Sequence, residues 1–114
     1  MNLKLNTRQV NDVSVIDVSG RLTLGEGTSA MRDAVRDLIT GGTRKVVLNF
    51  MRVSYIDSSG FGELVSCHSS LIRAGGRMKL AGPTERVETL LRMTNLDTVF
   101  EVHDDEAQAL RSFA

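Results

Sequence analysis

The sequence predicts a small α/β domain built on a mixed, mostly parallel five-stranded sheet. Two strand-like segments, 3–10 and 13–19, come first and are joined by the turn-prone pair Asn11-Asp12, which predicts a hairpin. Helix-like and strand-like segments then alternate, and strands separated by single helices run parallel with right-handed crossovers. The 114 residues, 41% of them hydrophobic, suffice for one core. We therefore expect a single domain over 1–114.

The later elements are predicted from apolar spacing and end signals. Apolar residues at helical spacing predict helices over 28–40 and 58–74, each closed by a glycine pair, a third helix opened by 82–84, and a last one over 104–113 capped by Asp104 or Asp105. The remaining strand-like runs are 44–50, 77–81 and 98–102.

The strand patterns indicate that only one face of the sheet is well covered. In 45–50 and 77–80, apolar residues alternate with Lys45, Asn49, Arg77 and Lys79. A sheet buried on both faces would carry continuous apolar runs. We therefore expect the helices mainly on one face and the hairpin at an edge, while the order of the strands is not readable.

Composition excludes several classes of protein. Fourteen basic residues balance fourteen acidic ones, so no overall field attracts nucleic acid or an anionic membrane. The single Cys67 rules out an internal disulfide and a zinc site built on several thiolates. No apolar run approaches the length of a membrane helix. We expect a cytosolic protein without a metal or cofactor, and with no nucleic-acid or membrane partner.

Loops that follow the carboxyl ends of parallel strands share one edge of the sheet. Segments 23–28, 51–60 and 82–84 should therefore be neighbours. Ser58 and Ser59 open the second helix there, where a hydroxyl either caps the helix or accepts a phosphoryl group. This edge is the expected functional surface.

The outward face of that second helix carries mostly small side chains. Its expected members are Gly62, Ser66, Ser69, Ser70 and Arg73. Small side chains let another protein's backbone approach closely, whereas an ordinary solvated face carries more Lys and Glu. A protein partner could lie along this face.

The sequence gives little support for a catalytic site or a metal site. A serine hydrolase needs a base beside its nucleophile, but His68 lies ten residues beyond Ser58, about 15 Å along a helix. His103 has no companion at ligand spacing. Segment 25–27, Gly-Glu-Gly, lacks the remainder of a dinucleotide or P-loop fingerprint. No catalytic residue is expected.

The segment Asp57-Ser58-Ser59-Gly60-Phe61-Gly62 resembles the phosphorylation loop of the STAS family, the bacterial anti-sigma factor antagonists. The resemblance extends from about residue 3 to the C-terminus and implies a compact βα winding with a one-sided helix layer. It implies that Ser58 is the phosphoryl acceptor and that Ser59 is a cap or a contact. Asp57 either orients the loop by bonding nearby amides or faces the kinase.

The resemblance also implies partner switching. The unphosphorylated domain would bind an anti-sigma factor that is also a serine kinase, the kinase would phosphorylate Ser58 using Mg-ATP, and a cognate phosphatase would reset it. The expected contact residues are Asp57, Ser59, Gly60, Phe61, Gly62 and Ser66, with Thr23, Gly25 and Thr28 from the loop before the first helix. Family members often carry an acidic residue soon after the end of the second strand, where this chain has Thr23-Leu24-Gly25-Glu26-Gly27-Thr28, so the loop should help to select the partner.

Two other classes stay open at this point. The chain could be a STAS subunit serving a response-regulator phosphatase, a sensory complex or a lipid-transport complex. It could also bind a nucleotide or a metabolite at the same edge of the sheet.

Overall fold

A computed structural model describes residues 2–114. It contains one five-stranded sheet whose strands lie side by side in chain order. The strands are β1 Lys4–Val10, β2 Val13–Leu22, β3 Lys45–Ile56, β4 Arg77–Ala81 and β5 Glu101–His103. This mixed, mostly parallel five-stranded sheet confirms the predicted α/β fold class.

The hairpin lies at one edge of the sheet, as expected. β1 pairs with β2 antiparallel, with Val10 opposite Val13, and Asn11 in the turn has a φ of 56°, a conformation that asparagine tolerates better than most residues. All later pairings are parallel. Every strand is therefore paired with its neighbour in the sequence.

Four helices connect or follow these strands: α1 Glu26–Thr40, α2 Ser58–Arg73, α3 Glu85–Met93 and α4 Glu106–Arg111, with a 3₁₀ turn at Leu96–Thr98. Two boundaries differ from the prediction in ways that matter for function. β3 continues to Ile56 instead of ending at 50, and α1 begins at Glu26. The expected loops 51–60 and 23–28 are therefore much shorter than predicted.

The helices α1, α2 and α3 cover one face of the sheet, over a core that includes Ile16, Leu48, Phe50, Leu64 and Leu71. The strand pattern predicts that the opposite face is exposed to solvent, but part of it is covered by α4. Ala109 of this helix packs against Val15, Val47 and Ala81. Lys79 lies under this helix with only 7% of its surface exposed. Its ammonium binds Glu101 at 2.9 Å and lies over the ring of Phe113.

Within residues 2–114, no helix combines the length and apolar character needed to cross a bilayer.

Candidate functional site

The helix that carries the predicted phosphorylation loop begins at Ser58 because Asp57 caps it. Asp57 has extended backbone angles, and its Oδ1 accepts a 2.7 Å hydrogen bond from the amide of Gly60. A carboxylate in this position satisfies a free amide and interacts favourably with the positive end of the helix dipole. Of the two roles expected for Ser59, that of the cap is wrong, because both serines lie in the first turn and Asp57 does the capping; that of a contact residue stays a prediction.

Asp57 also joins the two loops at this edge of the sheet. Its Oδ2 accepts a hydrogen bond from the amide of Leu24 at 3.1 Å, and its own amide donates to the carbonyl of Leu22 at 3.3 Å. Both carboxylate oxygens thus accept hydrogen bonds from backbone amides, which is the arrangement expected of a residue that orients the loop, while a contact with the kinase stays a prediction. The short segment between β2 and α1 is held beside the start of α2 as a result.

Gly60 is required by the close approach of α2 to β2. A Cβ atom on Gly60 would stand 2.2 Å from the carbonyl oxygen of Leu22 and 2.8 Å from Cγ2 of Ile56. A Cβ on Gly62 would meet nothing within 4 Å. The first glycine therefore serves the fold, whereas close approach at Gly62 stays a prediction about a partner.

Some of the residues expected to contact a partner are exposed, and others are buried. Ser58, Gly62 and Ser66 are exposed, and Leu24 beside them has 77% of its surface in solvent. Phe61 and Thr28 are each only 6% exposed, and Gly60 is buried. The side chains of Phe61 and Thr28 therefore position the loop and the start of α1, and they offer no surface to a partner.

Thr23 and Gly25 flank Leu24 in the loop between β2 and α1. Thr23 is half-buried, and Gly25 is exposed with a φ of 108°, which a residue with a side chain rarely adopts. The hydroxyl of Thr28 bonds back to the carbonyl of Gly25 at 3.0 Å. The loop is therefore a defined turn with Leu24 at its tip.

Segment 82–84 lies beside β3, a few residues before Asp57. β4 ends at Ala81, which pairs with Asn49, while β3 continues to Ile56. Gly82 consequently lies against Met51, and the hydroxyl of Thr84 reaches the carbonyl of Val53 at 3.5 Å. The prediction that 82–84 neighbours 51–60 is therefore confirmed, although these contacts are made with the strand β3 and not with a loop, because β3 extends beyond the end of β4.

Glu63 is a buried carboxylate in the second turn of α2. Only 7% of Glu63 is exposed, and its Oε1 accepts two hydrogen bonds from Arg32 of α1, at 3.0 and 2.7 Å. It lines a groove of about 300 Å³ between α1 and α2, together with Cys67 and Ser66. Burial and the neighbouring Glu63 raise the pKa of the Cys67 thiol to about 12, so this thiol is unreactive near neutral pH.

The two histidines have structural surroundings. His68 is half-buried and meets the ring of Phe100 edge-on at 5.3 Å between centroids, and its burial lowers its pKa. His103 lies in β5, where the sequence suggested a loop, and its Nε2 contacts Glu101. Within residues 2–114, no group of three His, Cys, Asp or Glu side chains is placed to hold a metal.

The profile of the STAS domain matches residues 4–109. The chain belongs to the STAS domain family. A protein of Thermotoga neapolitana that is provisionally named an anti-sigma factor antagonist is 30% identical, over 89% of each chain. The anti-sigma-B factor antagonist of Staphylococcus aureus is 25% identical, over 91% of this chain and 95% of that protein.

Solved structures of this family share the fold. A crystal structure from Thermotoga maritima, also provisionally named an anti-sigma factor antagonist, has a TM-score of 0.87 at 28% identity and covers 95% of this chain and 92% of its own. The anti-sigma factor antagonist SpoIIAA in its unphosphorylated form has a TM-score of 0.73 at 22% identity, covering 96% and 97%. A structure of SpoIIAA from Bacillus in the phosphorylated form has a TM-score of 0.75.

Proposed function

We propose that this STAS domain is an anti-sigma factor antagonist that works by partner switching. The unphosphorylated domain binds an anti-sigma factor that is also a serine kinase. That kinase phosphorylates Ser58, which ends the complex, and a cognate phosphatase restores the bound form. The domain itself acts as a binding protein and not as an enzyme.

The observation that supports this most is the position of Ser58. Its side chain is exposed in the first turn of α2, directly after Asp57, while Ser59 is half-buried. Because both oxygens of Asp57 are held by backbone amides, the loop presents Ser58 in a fixed orientation. A kinase could therefore reach this hydroxyl without unfolding the helix.

A phosphate on Ser58 should affect the partner more than the fold. It brings about −1.5 to −2 charges to a helix N-terminus, which favours negative charge. At an interface, the same charge must be desolvated, and it lies beside the carboxylate of Asp57. Glu63 adds nothing to this repulsion, because it is buried and paired with Arg32.

The partner surface that we propose surrounds Ser58. It consists of Leu24 at the tip of the turn, flanked by Thr23 and Gly25, and of the exposed start of α2 from Asp57 to Gly62, followed by Ser66. An exposed leucine beside a polar switch residue provides the apolar centre that stable protein interfaces usually have. Each of these contacts can be tested by substitution.

The acceptor is tested by incubating the chain with its kinase and Mg-ATP, followed by peptide mass spectrometry. We expect one phosphate per chain on Ser58, none in Ser58→Ala, and normal incorporation in Ser59→Ala. Phosphate on Ser59, or normal incorporation into Ser58→Ala, would contradict the assignment. Failure of every anti-sigma factor encoded beside the chain to bind it would refute the proposed function.

A further inference from the structure

Two arginines converge on one tyrosine ring near the switch surface. The guanidinium carbon of Arg21 lies 5.1 Å from the ring centroid of Tyr55, and that of Arg86 lies 5.0 Å from it. Both distances are within the range of cation–π attraction. Both arginines are exposed, while Tyr55 is half-buried.

Some arginines of this domain are paired with a carboxylate, and others are not. Arg8, Arg32 and Arg92 each have an acidic partner within 4 Å. Within residues 2–114, neither Arg21 nor Arg86 forms such a pair, although Glu85 adjoins Arg86 in the sequence. Two like charges on one ring repel each other, and an anion between or beside them would relieve that repulsion.

The cluster adjoins the proposed partner surface. Arg21 lines a concavity of about 400 Å³ together with Leu24 and the exposed Glu26, and the amide of Leu24 is bound to Asp57. Tyr55 pairs with Arg21 across β2 and β3, beyond the point where β4 ends. This free end of β3 is where α3 brings in Arg86, so three elements contribute to one cationic patch.

We infer that Arg21, Tyr55 and Arg86 form a docking site for an acidic segment of the protein partner. The identity of that partner as an anti-sigma factor rests on the proposed function. Guanidinium groups bind carboxylates through paired hydrogen bonds. The ring of Tyr55 holds the guanidinium groups of Arg21 and Arg86 in place. A phosphate at Ser58 has the sign of the incoming carboxylates, so it would repel the segment that this patch attracts.

The patch is tested directly with two capped peptides, hexaglutamate and hexalysine, titrated into the ¹⁵N-labelled full chain. Hexaglutamate should shift the side-chain Nε–H signals of Arg21 and Arg86, and hexalysine should not. The double variant Arg21→Gln/Arg86→Gln should lose this binding at least about tenfold. The matched control, Arg44→Gln/Arg111→Gln, removes the same charge from the opposite end of β3 and from α4, and should retain it.

Hexaglutamate shifts that are spread over all arginines, or that survive in Arg21→Gln/Arg86→Gln, would overturn the inference. Because this experiment needs no anti-sigma factor, its result is independent of the proposed function. With an anti-sigma factor that binds the wild type, stopped-flow association should be slower in the double variant and less dependent on salt. Unchanged association would contradict the inference while leaving partner switching intact.

Discussion

The charged residues of this domain behave differently on its two sides. On the sheet face near α4, Arg8 of β1 bonds Asp17 of β2 at 2.7 Å and also bonds Glu106 of α4. At the switch edge, neither Arg21 nor Arg86 has such a partner within residues 2–114, and Arg21 lines a concavity with the exposed Leu24. The charges of the first region hold elements together, whereas we propose that those of Arg21 and Arg86 bind another molecule.

The pKa values support the structural role of the first region. The guanidinium of Arg8 lowers the pKa of Asp17 and the pKa of Glu106, and these carboxylates raise the pKa of Arg8. Under α4, Lys79 and then His103 lower the pKa of Glu101 to about 2. Such shifts mean that the ionised carboxylates are bound more favourably in the folded state than in the unfolded one.

The largest expected effect distinguishes the two glycines of the switch loop. Gly60→Ala forces a Cβ into the carbonyl of Leu22, so we expect a loss of about 3 kcal/mol in the free energy of unfolding, the upper end for overpacking. Gly62→Ala has open space and should be neutral or stabilise by up to about 1 kcal/mol. Denaturant unfolding measures both, and equal stabilities would show that α2 does not press against β2.

The docking face of α2 is tested by a long charged side chain. Ser66→Lys should weaken partner binding by at least about tenfold without altering the fold, because Ser66 is exposed. Ala107→Lys on α4 is the control, since Ala107 is also exposed but lies on the other side of the sheet. Ser112 would be a poor control because it accepts a hydrogen bond from the buried Lys79. Calorimetry that gives equal affinities for Ser66→Lys and Ala107→Lys would exclude α2 as the docking face.

Removing the cap of α2 should lower the free energy of unfolding by less than Gly60→Ala does. Asp57→Ala loses the hydrogen bonds from Gly60 and Leu24, and we expect a loss of about 1–2 kcal/mol. Ser59→Ala should change stability by less than about 0.5 kcal/mol. Urea unfolding of both variants checks this, and comparable losses would mean that Ser59 shares the capping role.

The smallest effect is a pH dependence that belongs to the paired region. The folded pKa of Glu101 lies near 2, below its ordinary value of 4.5, so its stabilising contribution is complete above pH 4.5 and is lost as the pH falls towards 2. Glu101→Gln should flatten the fall in unfolding free energy over that window. A variant that keeps the wild-type slope would show that Glu101 is not the group responsible.

Local patterns in the sequence predict much of this fold because they report on single elements. The hairpin follows from Asn11-Asp12, and the buried stripe of α2 follows from spacing of residues such as Leu64 and Leu71. The length of β3 was also readable in principle, since Val53 and Ile56 continue its buried face. It was obscured because a bulge in the pairing with β2 shifts the alternation near Ser19.

Contacts between segments that are distant in the chain cannot be predicted from local sequence patterns. Glu63 belongs to a helix whose period does not mark it as buried, and its burial depends on Arg32, 31 residues away in the sequence. The cap also required the backbone geometry, because Asp57, Ser58 and Ser59 are all acceptable capping residues. The convergence of Arg21 and Arg86 on Tyr55 arises from three separate elements, and no local pattern indicates it.

The central claim is that charge at Ser58 abolishes partner binding while the domain stays folded. Its most direct test is a calorimetric titration and a thermal melt on the same fully phosphorylated sample, with the unphosphorylated chain as the reference. We expect loss of most of the binding to the anti-sigma kinase and a Tm within a few degrees of the reference, since the helix N-terminus tolerates the phosphate. Retained affinity, or a loss of affinity accompanied by a collapse of the Tm, would contradict the account.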